Sequence, residues 1–141
     1  MATTNATITI NSDIMSYTGN VTTTMTMKKF GSTSGVEETT GLQGKKFNAT
    51  SAVKIVDNTE GTAGKGSKVY IRNTGSSSTD FFYVALANGA AAATSTETIG
   101  RLYGGDWMLI PWIATAATTH DIHVAPSTTS TMTLEYMVFQ E

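Results

Sequence analysis

The sequence predicts an all-β protein folded as a single-domain antiparallel β-sandwich. The chain has 141 residues, the size of one ordinary domain. Charged residues make up only 14% of it, against roughly 25% in a typical soluble domain, and β-branched Thr is abundant in their place. Short runs with alternating apolar and polar residues are separated by Gly, Asn and Ser. We therefore expect about 8–9 strands in a jelly-roll-like arrangement, with an immunoglobulin-like arrangement as the alternative.

The first two strands are predicted near the N-terminus. In "ATITINS" and "NVTTTMTMKKF", apolar residues such as Ile8, Ile10 and Val21 alternate with Thr. A period of two with one Thr-rich face is typical of a strand that is wetted on one side. Residues 1–6 precede this pattern and suggest an extended N-terminal arm that contacts a larger partner, with simple fraying as the alternative. Residues 1–141 are otherwise treated as one domain.

The middle of the chain predicts three further strands and several loops. Residues 31–46 are read as a polar loop or a weak edge strand. The segments "SAVKIVD" and "SKVYIRN" alternate as strands do, and the Gly-bearing turn "NTEGTAGKG" separates them. The turn "NTGSSSTD" then leads into "FFYVALA". The segment "NGAAAATSTET" is rich in Ala but short and begins with Asn-Gly, so we predict a loop with at most one helical turn.

Four more strands complete nine candidates, and several of the later strands are apolar on both faces. They are "TIGRLY", "DWMLIPW", "HDIHVA" and "STMTLEYMVFQ". A strand gives the interior of a sandwich only one face, so the second face needs a loop, an extra strand or another chain to cover it. We expect another copy of the chain. The candidate interface residues are Phe81, Tyr83, Trp107, Met108, Ile110, Trp112, Met137 and Phe139.

The sequence contains no pattern that indicates catalysis, a cofactor or a metal site. Gly105 to Pro111 has the G-x5-P spacing of a cupin motif, but the Gly and His that follow in cupins are missing. A cupin-like metal-binding protein is therefore an alternative of low rank. His120 and His123 are the only histidines and lie three apart, so on a strand they point to opposite faces. We expect them to be exposed near a turn, and we predict a non-enzymatic protein.

Charge and hydropathy exclude several classes of partner. The net charge of -2 gives no basic surface for nucleic acid. No apolar run approaches the length of a membrane span, and the N-terminus lacks the pattern of a secretory signal, so we expect no membrane partner and no export. Residues 1–73 carry eight Lys and Arg against five acids, whereas residues 74–141 carry one Arg against six acids. This asymmetry favours head-to-tail contact between copies, unless it reflects chance placement on loops.

The C-terminal half resembles a known class of proteins. The segments "TIGRLYGGDWMLIPW", "DIHVA" and "TMTLEYMVFQE" resemble small β structural proteins of tailed bacteriophages. The resemblance implies a capsid decoration (cement) protein that self-associates, for example as a trimer, and binds across neighbouring subunits of the major capsid protein. It also implies assembly in the host cytoplasm and a place on the virion surface. The alternative is a tail or fibre-associated module that binds a receptor or carbohydrate through aromatic groups such as Tyr103, Trp107 and Trp112. Trp107 and Trp112 are five residues apart, so on an unbroken strand they point to opposite faces, which argues against a platform that contains both.

Overall fold

The computed structural model describes residues 5–10, 21–26, 36–86, 98–113 and 120–141. In these ranges the regular structure is almost entirely β-strand, with a 3-10 helix at Asn58–Glu60, which confirms the all-β prediction. Each of the nine predicted segments contains a strand. The strands are β1 (Asn5–Ile10), β2 (Val21–Thr26), β3 (Glu38–Thr39), β4 (Gln43–Phe47), β5 (Val53–Val56), β6 (Ser67–Asn73), β7 (Phe81–Leu86), β8 (Thr98–Tyr103), β9 (Trp107–Trp112), β10 (Ile122–Pro126) and β11 (Met132–Gln140).

Nine of these strands form two antiparallel sheets. Sheet I has the order β3–β11–β6–β9, and β4 also pairs with β11. Sheet II has the order β5–β10–β7–β8. Strands β3 and β4 pair with successive parts of β11, and Gly41, with a φ of 71°, lies between them. They therefore act as one broken edge strand, and of the two interpretations of residues 31–46 the weak edge strand holds for the described part, residues 36–46. Strands β1 and β2 form a separate two-stranded sheet.

The pairing of the strands is nested. Strand β4 pairs with β11, β5 with β10, β6 with β9, and β7 with β8. Successive strands from β4 to β7 alternate between the two sheets, and the chain then retraces the same path from β8 to β11. This is the connectivity of a jelly roll, in which a long folded-back chain is wound into two four-stranded layers. The immunoglobulin-like alternative divides its strands between the sheets differently.

The hydrophobic core lies between the inner faces of the two sheets. The rings of Phe47 in sheet I and Phe82 in sheet II meet edge to face, with centroids 5.1 Å apart. Burial of each such side chain stabilises the fold by about 1.5–3 kcal/mol. Along β11 the burial alternates strictly, and the predicted inner row is confirmed. Its buried members are Met132, Leu134, Tyr136 and Val138.

A tight turn between β8 and β9 carries the chain from sheet II to sheet I. The amide of Asp106 donates to the carbonyl of Tyr103 at 2.9 Å, and Gly105 has a φ of 87°, as the third position of a type II turn requires. A Cβ at Gly104 would lie 2.5 Å from the amide nitrogen of Ser77. Only glycine therefore fits at residue 104, and the turn fixes the point at which β9 begins.

Several predictions fall partly outside the described residues, among them the first five residues of the segment 31–46. The segment "NGAAAATSTET" lies outside them except for its last residue, Thr98, which begins β8. Residues 1–4 of the predicted N-terminal arm also lie outside them. The last two residues of that arm, Asn5 and Ala6, are paired with Thr26 and Met25 in the sheet formed by β1 and β2.

Candidate functional site

The outer face of sheet I is defined by three rows of residues that lie opposite one another across β9, β6 and β11. Residues in register share one face of a sheet, and side chains alternate between faces along each strand. The residues of this face are Trp107, Arg72 and Glu135 in one row, Leu109, Tyr70 and Met137 in the next, and Pro111, Lys68 and Phe139 in the third. Aromatic and aliphatic groups therefore run diagonally across the whole sheet.

Most apolar groups on this face are only partly covered. Trp107 is 43% exposed, and its ring lies 6.4 Å from the ring of Tyr70. Leu109, Met137 and Phe139 are half-buried by their neighbours in the sheet. Three of the nine residues on this face are charged, and burial lowers the pKa of one of them, Lys68, in spite of the opposing effect of Glu141. The face combines a strip of apolar groups with a few charges, which is typical of a surface that meets another protein.

Three of the predicted interface residues belong to the core. Trp112 is 6% exposed, and its Nε1 donates to the backbone carbonyl of His120 at 2.7 Å. Met108 and Ile110 pack against the same core cluster. Both faces of β9 are apolar, so the sequence placed the two tryptophans on opposite faces without deciding which one was inside. We therefore remove Met108, Ile110 and Trp112 from the candidate interface.

The remaining predicted interface residues lie on the outer faces of the two sheets. Trp107, Met137 and Phe139 belong to sheet I and lie on the face described above. Phe81 and Tyr83 belong to sheet II and are both half-buried. The structure thus divides the predicted interface between two surfaces on opposite sides of the sandwich.

An arginine and three aromatic rings form a cluster on the outer face of sheet II. The ring of Phe81 lies 4.9 Å from that of Tyr83 and 5.1 Å from that of Tyr103. The guanidinium carbon of Arg101 lies 4.8 Å from the centre of the Phe81 ring, a cation–π contact. A hydrogen bond with Tyr103 is the main cause of a raised pKa for Arg101. The sequence analysis missed Arg101, although it is the sole Lys or Arg after residue 73.

The other half of this outer face is buried by the chain itself. Ala85 and Ala125 are almost inaccessible, and His123, between Ala85 and Lys54 in the register, is only 5% exposed. The expectation that both histidines are solvent-exposed is wrong for His123, because it lies on a central strand of sheet II and not at the turn before it. Burial lowers its pKa, and its Nδ1 has no hydrogen-bond partner.

An ion-pair cluster lies at the edge of sheet II beside His123. Asp121 is buried, accepts a hydrogen bond from the amide of Asn58 at 2.8 Å and lies 3.2 Å from the ammonium of Lys54. Lys54 also bonds to Asp57, and this contact, with further hydrogen bonds from Thr59, lowers the pKa of Asp57 to about 2. The cluster connects β5, the 3-10 helix and the start of β10. Every one of these groups has a structural partner, so we assign the cluster to stability.

Within the described residues, no three or more His, Cys, Asp or Glu side chains are grouped so that they could hold a metal ion. No helix in the same ranges is long and apolar enough to cross a membrane. No family model, curated protein or solved structure matches this chain.

Proposed function

We propose that this chain is a non-enzymatic structural protein that self-associates through the outer face of sheet I. The observation that carries the proposal is the apolar strip from Trp107 through Tyr70 to Phe139, which the chain leaves partly uncovered. The proposed occupant of the strip is a second copy of the chain. In a homo-oligomer, the partly exposed apolar groups of one copy are buried against another copy. The uneven charge of the two halves of the chain adds a weak attraction between copies.

The size of this face favours assembly in many copies over a single tight dimer. The three strands of this face, spaced about 4.8 Å apart and about six residues long, cover about 300 Å². A standard interface buries about 800 Å² per partner. Contact through this face alone is therefore weak, but many weak contacts within a multivalent shell add to a stable assembly.

More specifically, we propose that the chain is a capsid decoration protein. The resemblance of the C-terminal segments to small structural proteins of tailed bacteriophages supports it. The jelly roll is used by viral capsid proteins as well as by lectins and cupins, so the fold is compatible with this role without determining it. The chain would bind to itself and across neighbouring subunits of the major capsid protein at the virion surface.

A carbohydrate-binding module is the second candidate, and one observation favours it. Arg101 stands exposed beside Phe81, Tyr83 and Tyr103 on the outer face of sheet II. Aromatic rings stack on sugar rings, and a guanidinium donates to sugar hydroxyls or carboxylates. Saturable binding of oligosaccharides that Arg101→Ala abolishes would favour this function over capsid decoration.

Self-association is tested by sedimentation of the purified chain over a range of concentrations. We expect the natural chain to form oligomers and Leu109→Lys to remain monomeric, because the new ammonium lies in the centre of the apolar strip. Leu42→Lys is the matched control, since Leu42 is 61% exposed and lies outside that strip. Co-sedimentation with empty phage capsids then tests decoration. A natural chain that stays monomeric at every concentration and ignores capsids would contradict the proposal.

A further inference from the structure

Among the described residues, the edge strands of the two sheets differ in how well they are protected against pairing with another chain. Native sheets protect their edges with short strands, bulges, charged side chains and proline. The edge of sheet I formed by β3 and β4 is broken at Gly41. Strand β5 has only four residues and carries Lys54 with its ion pairs. The register between β7 and β8 shifts after Val84, and β8 contains Gly100 and Arg101.

Strand β9 lacks most of these protections. It has six residues, none of them charged, and its register with β6 runs without a shift from Trp107 to Trp112. It ends sheet I, so one of its backbone edges has no strand beside it in the described part of the chain. Met108 and Ile110 point toward the core but are only partly buried, as expected beside an open edge. The one protective residue in β9 is Pro111.

Pro111 shows which backbone groups of β9 point toward the open edge. In an antiparallel ladder, hydrogen-bonded pairs of residues alternate with non-hydrogen-bonded pairs. Pro111 has no N–H to donate, so its pair with Lys68 is a non-hydrogen-bonded one. The amide of Asn73 donates to the carbonyl of Asp106 at 3.0 Å, which agrees with this alternation. Every second residue of β9, counted from Pro111, therefore directs its backbone groups away from β6.

Trp107 and Leu109 are the other two residues whose backbone groups point to the open edge. Each offers one N–H and one C=O, and none of these four groups has a partner among the described residues. The arrangement is self-complementary. If a second copy is related by a two-fold axis at Met108, Trp107 of each copy lies opposite Leu109 of the other. Four N–H···O=C bonds then form, and Pro111 lies beyond the paired residues.

Pro111 disfavours the other antiparallel registers. An axis at Leu109 or Ile110 brings Pro111 into a hydrogen-bonded pair, where its ring replaces the donor and occupies the space of the bond. An axis at Trp107 leaves Leu109 opposite the turn that precedes β9. The register with the axis at Met108 is therefore the one that satisfies all four backbone groups.

We propose that two copies of the chain pair edge to edge through β9, antiparallel and with Met108 on the two-fold axis. This inference rests on the proposed self-association and specifies its geometry. The occupant of the edge is a second copy because the donors of each copy meet the acceptors of the other, as an isologous interface requires. The apolar side chains of Trp107 and Leu109 also meet across the axis on the outer face. The two sheets I become one continuous sheet, so the apolar strips of both copies form one larger surface.

Disulfide trapping tests the register, since the natural chain contains no cysteine. In the proposed pair, the Cα atoms of residue 108 in the two copies lie about 4.5 Å apart, as in any non-hydrogen-bonded pair, and a disulfide spans this distance. We expect Met108→Cys to form a covalent dimer on mild oxidation with diamide. Ile110→Cys is the matched control, because Ile110 lies on the same face of β9 and is also partly buried. Its two copies lie about 13 Å apart along the strands, so it should not be linked.

A proline substitution tests the backbone hydrogen bonds. Leu109→Pro removes an N–H that points away from β6, so the single chain should tolerate it as it tolerates Pro111. Leu109→Ala is the matched control, because it removes most of the same side chain and keeps the N–H. Sedimentation should give Leu109→Pro a dissociation constant about tenfold or more above that of Leu109→Ala, since two hydrogen bonds of the pair are lost. Circular dichroism checks that both variants fold.

The outcomes separate this inference from the proposed function. Equal association of Leu109→Pro and Leu109→Ala, or equal yields of covalent dimer from Met108→Cys and Ile110→Cys, would overturn edge pairing. If Leu109→Pro fails to fold, the yields of covalent dimer alone decide. A natural chain that forms oligomers while Met108→Cys stays unlinked would overturn edge pairing but leave self-association through the outer face standing. A natural chain that is monomeric at every concentration would overturn both.

Discussion

The two outer faces of the sandwich differ in what covers them. In the half of sheet II around β10, Ala85, His123 and Ala125 are buried although they point away from the core, and the chain itself supplies the cover. In sheet I, the corresponding outer positions of β9 and β11 remain partly open, with Trp107 43% exposed. Strands in both sheets have the same sequence property, namely apolar residues on both faces. Apolar residues on both faces of a strand therefore do not by themselves indicate an interface, because other parts of the same chain can cover the second face.

The outer faces of the two sheets also differ in the kinds of contact that their side chains make. Sheet II combines the cluster of Arg101 and three aromatic rings with the ion pairs of Lys54 and Asp121, and these groups satisfy one another. Sheet I presents apolar groups that remain partly open: Trp107 is 43% exposed although its ring contacts that of Tyr70. We therefore expect substitutions on sheet II to affect mainly folding and substitutions on sheet I to affect mainly assembly.

The largest expected effect on stability comes from substituting the two tryptophans of β9. Comparing the two variants shows which face of this strand lies in the core. Trp112→Ala should lower the free energy of unfolding by about 3–5 kcal/mol, because it empties part of the core. Trp107→Ala should lower it by about 1 kcal/mol, since the side chain is already half exposed, but should weaken self-association. Urea denaturation and sedimentation measure the two quantities. A more destabilising Trp107→Ala than Trp112→Ala would reverse the assignment of the faces.

A pair of lysine substitutions tests whether the outer face of sheet II is covered. Ala85→Lys should lower the free energy of unfolding by about 3 kcal/mol, because a long charged side chain is forced into a position with no accessible surface. Leu109→Lys, on the outer face of sheet I, should cost less than about 1 kcal/mol. Chemical denaturation at a concentration low enough for both variants to be monomeric measures both. Similar costs would mean that the two faces are equally covered, and the contrast between them would be lost.

The smallest expected effect is a pH dependence of the free energy of unfolding that arises from His123 in sheet II. Burial lowers the pKa of His123 from its ordinary 6.5, and Asp121 and Lys54 act on it in opposite directions. The unfolded chain therefore takes up a proton at a higher pH than the folded chain does. The contribution of His123 to stability is complete above about pH 6.5 and is lost as the pH falls below it.

This dependence is measured as the free energy of unfolding at pH 7.5 and at pH 5.5. The natural chain should lose stability between the two values, and His123→Gln should lose less. His120→Gln is the matched control and should behave as the natural chain does. If His123→Gln lost as much stability as the natural chain, burial of His123 would not be the cause.

Much of the fold could be predicted from the sequence because strands leave a local signature. A period of two, β-branched residues and Gly-bearing turns identified nine strand segments and the inner row of β11 without tertiary information. The short strands β3 and β4 were harder, since "ETTGLQGKKF" is polar and Gly-rich. They are strands because β11 provides a partner along its whole length, and this partner is distant in sequence.

The candidate site was less predictable than the fold. Of the eight candidate interface residues, Phe81, Tyr83, Trp107, Met137 and Phe139 lie on outer faces. The other three, Met108, Ile110 and Trp112, belong to the core. Arg101 gave no local signal, because the aromatic ring that it contacts, that of Phe81, lies on another strand. Buried polar atoms and cation–π contacts depend on register between strands, which a single sequence does not encode locally.

The sequence by itself determined the β architecture, the positions of the strands and the requirement that some second faces be covered. These properties follow from side-chain alternation and turn chemistry, which act over a few residues. Only the tertiary structure decided the nested order of the strands, the burial of Trp112 rather than Trp107, and the covering of sheet II by the chain itself. Those outcomes depend on pairings such as β4 with β11, which join residues about 90 positions apart. Alternation shows that a strand has two faces, and packing decides which face each neighbour covers.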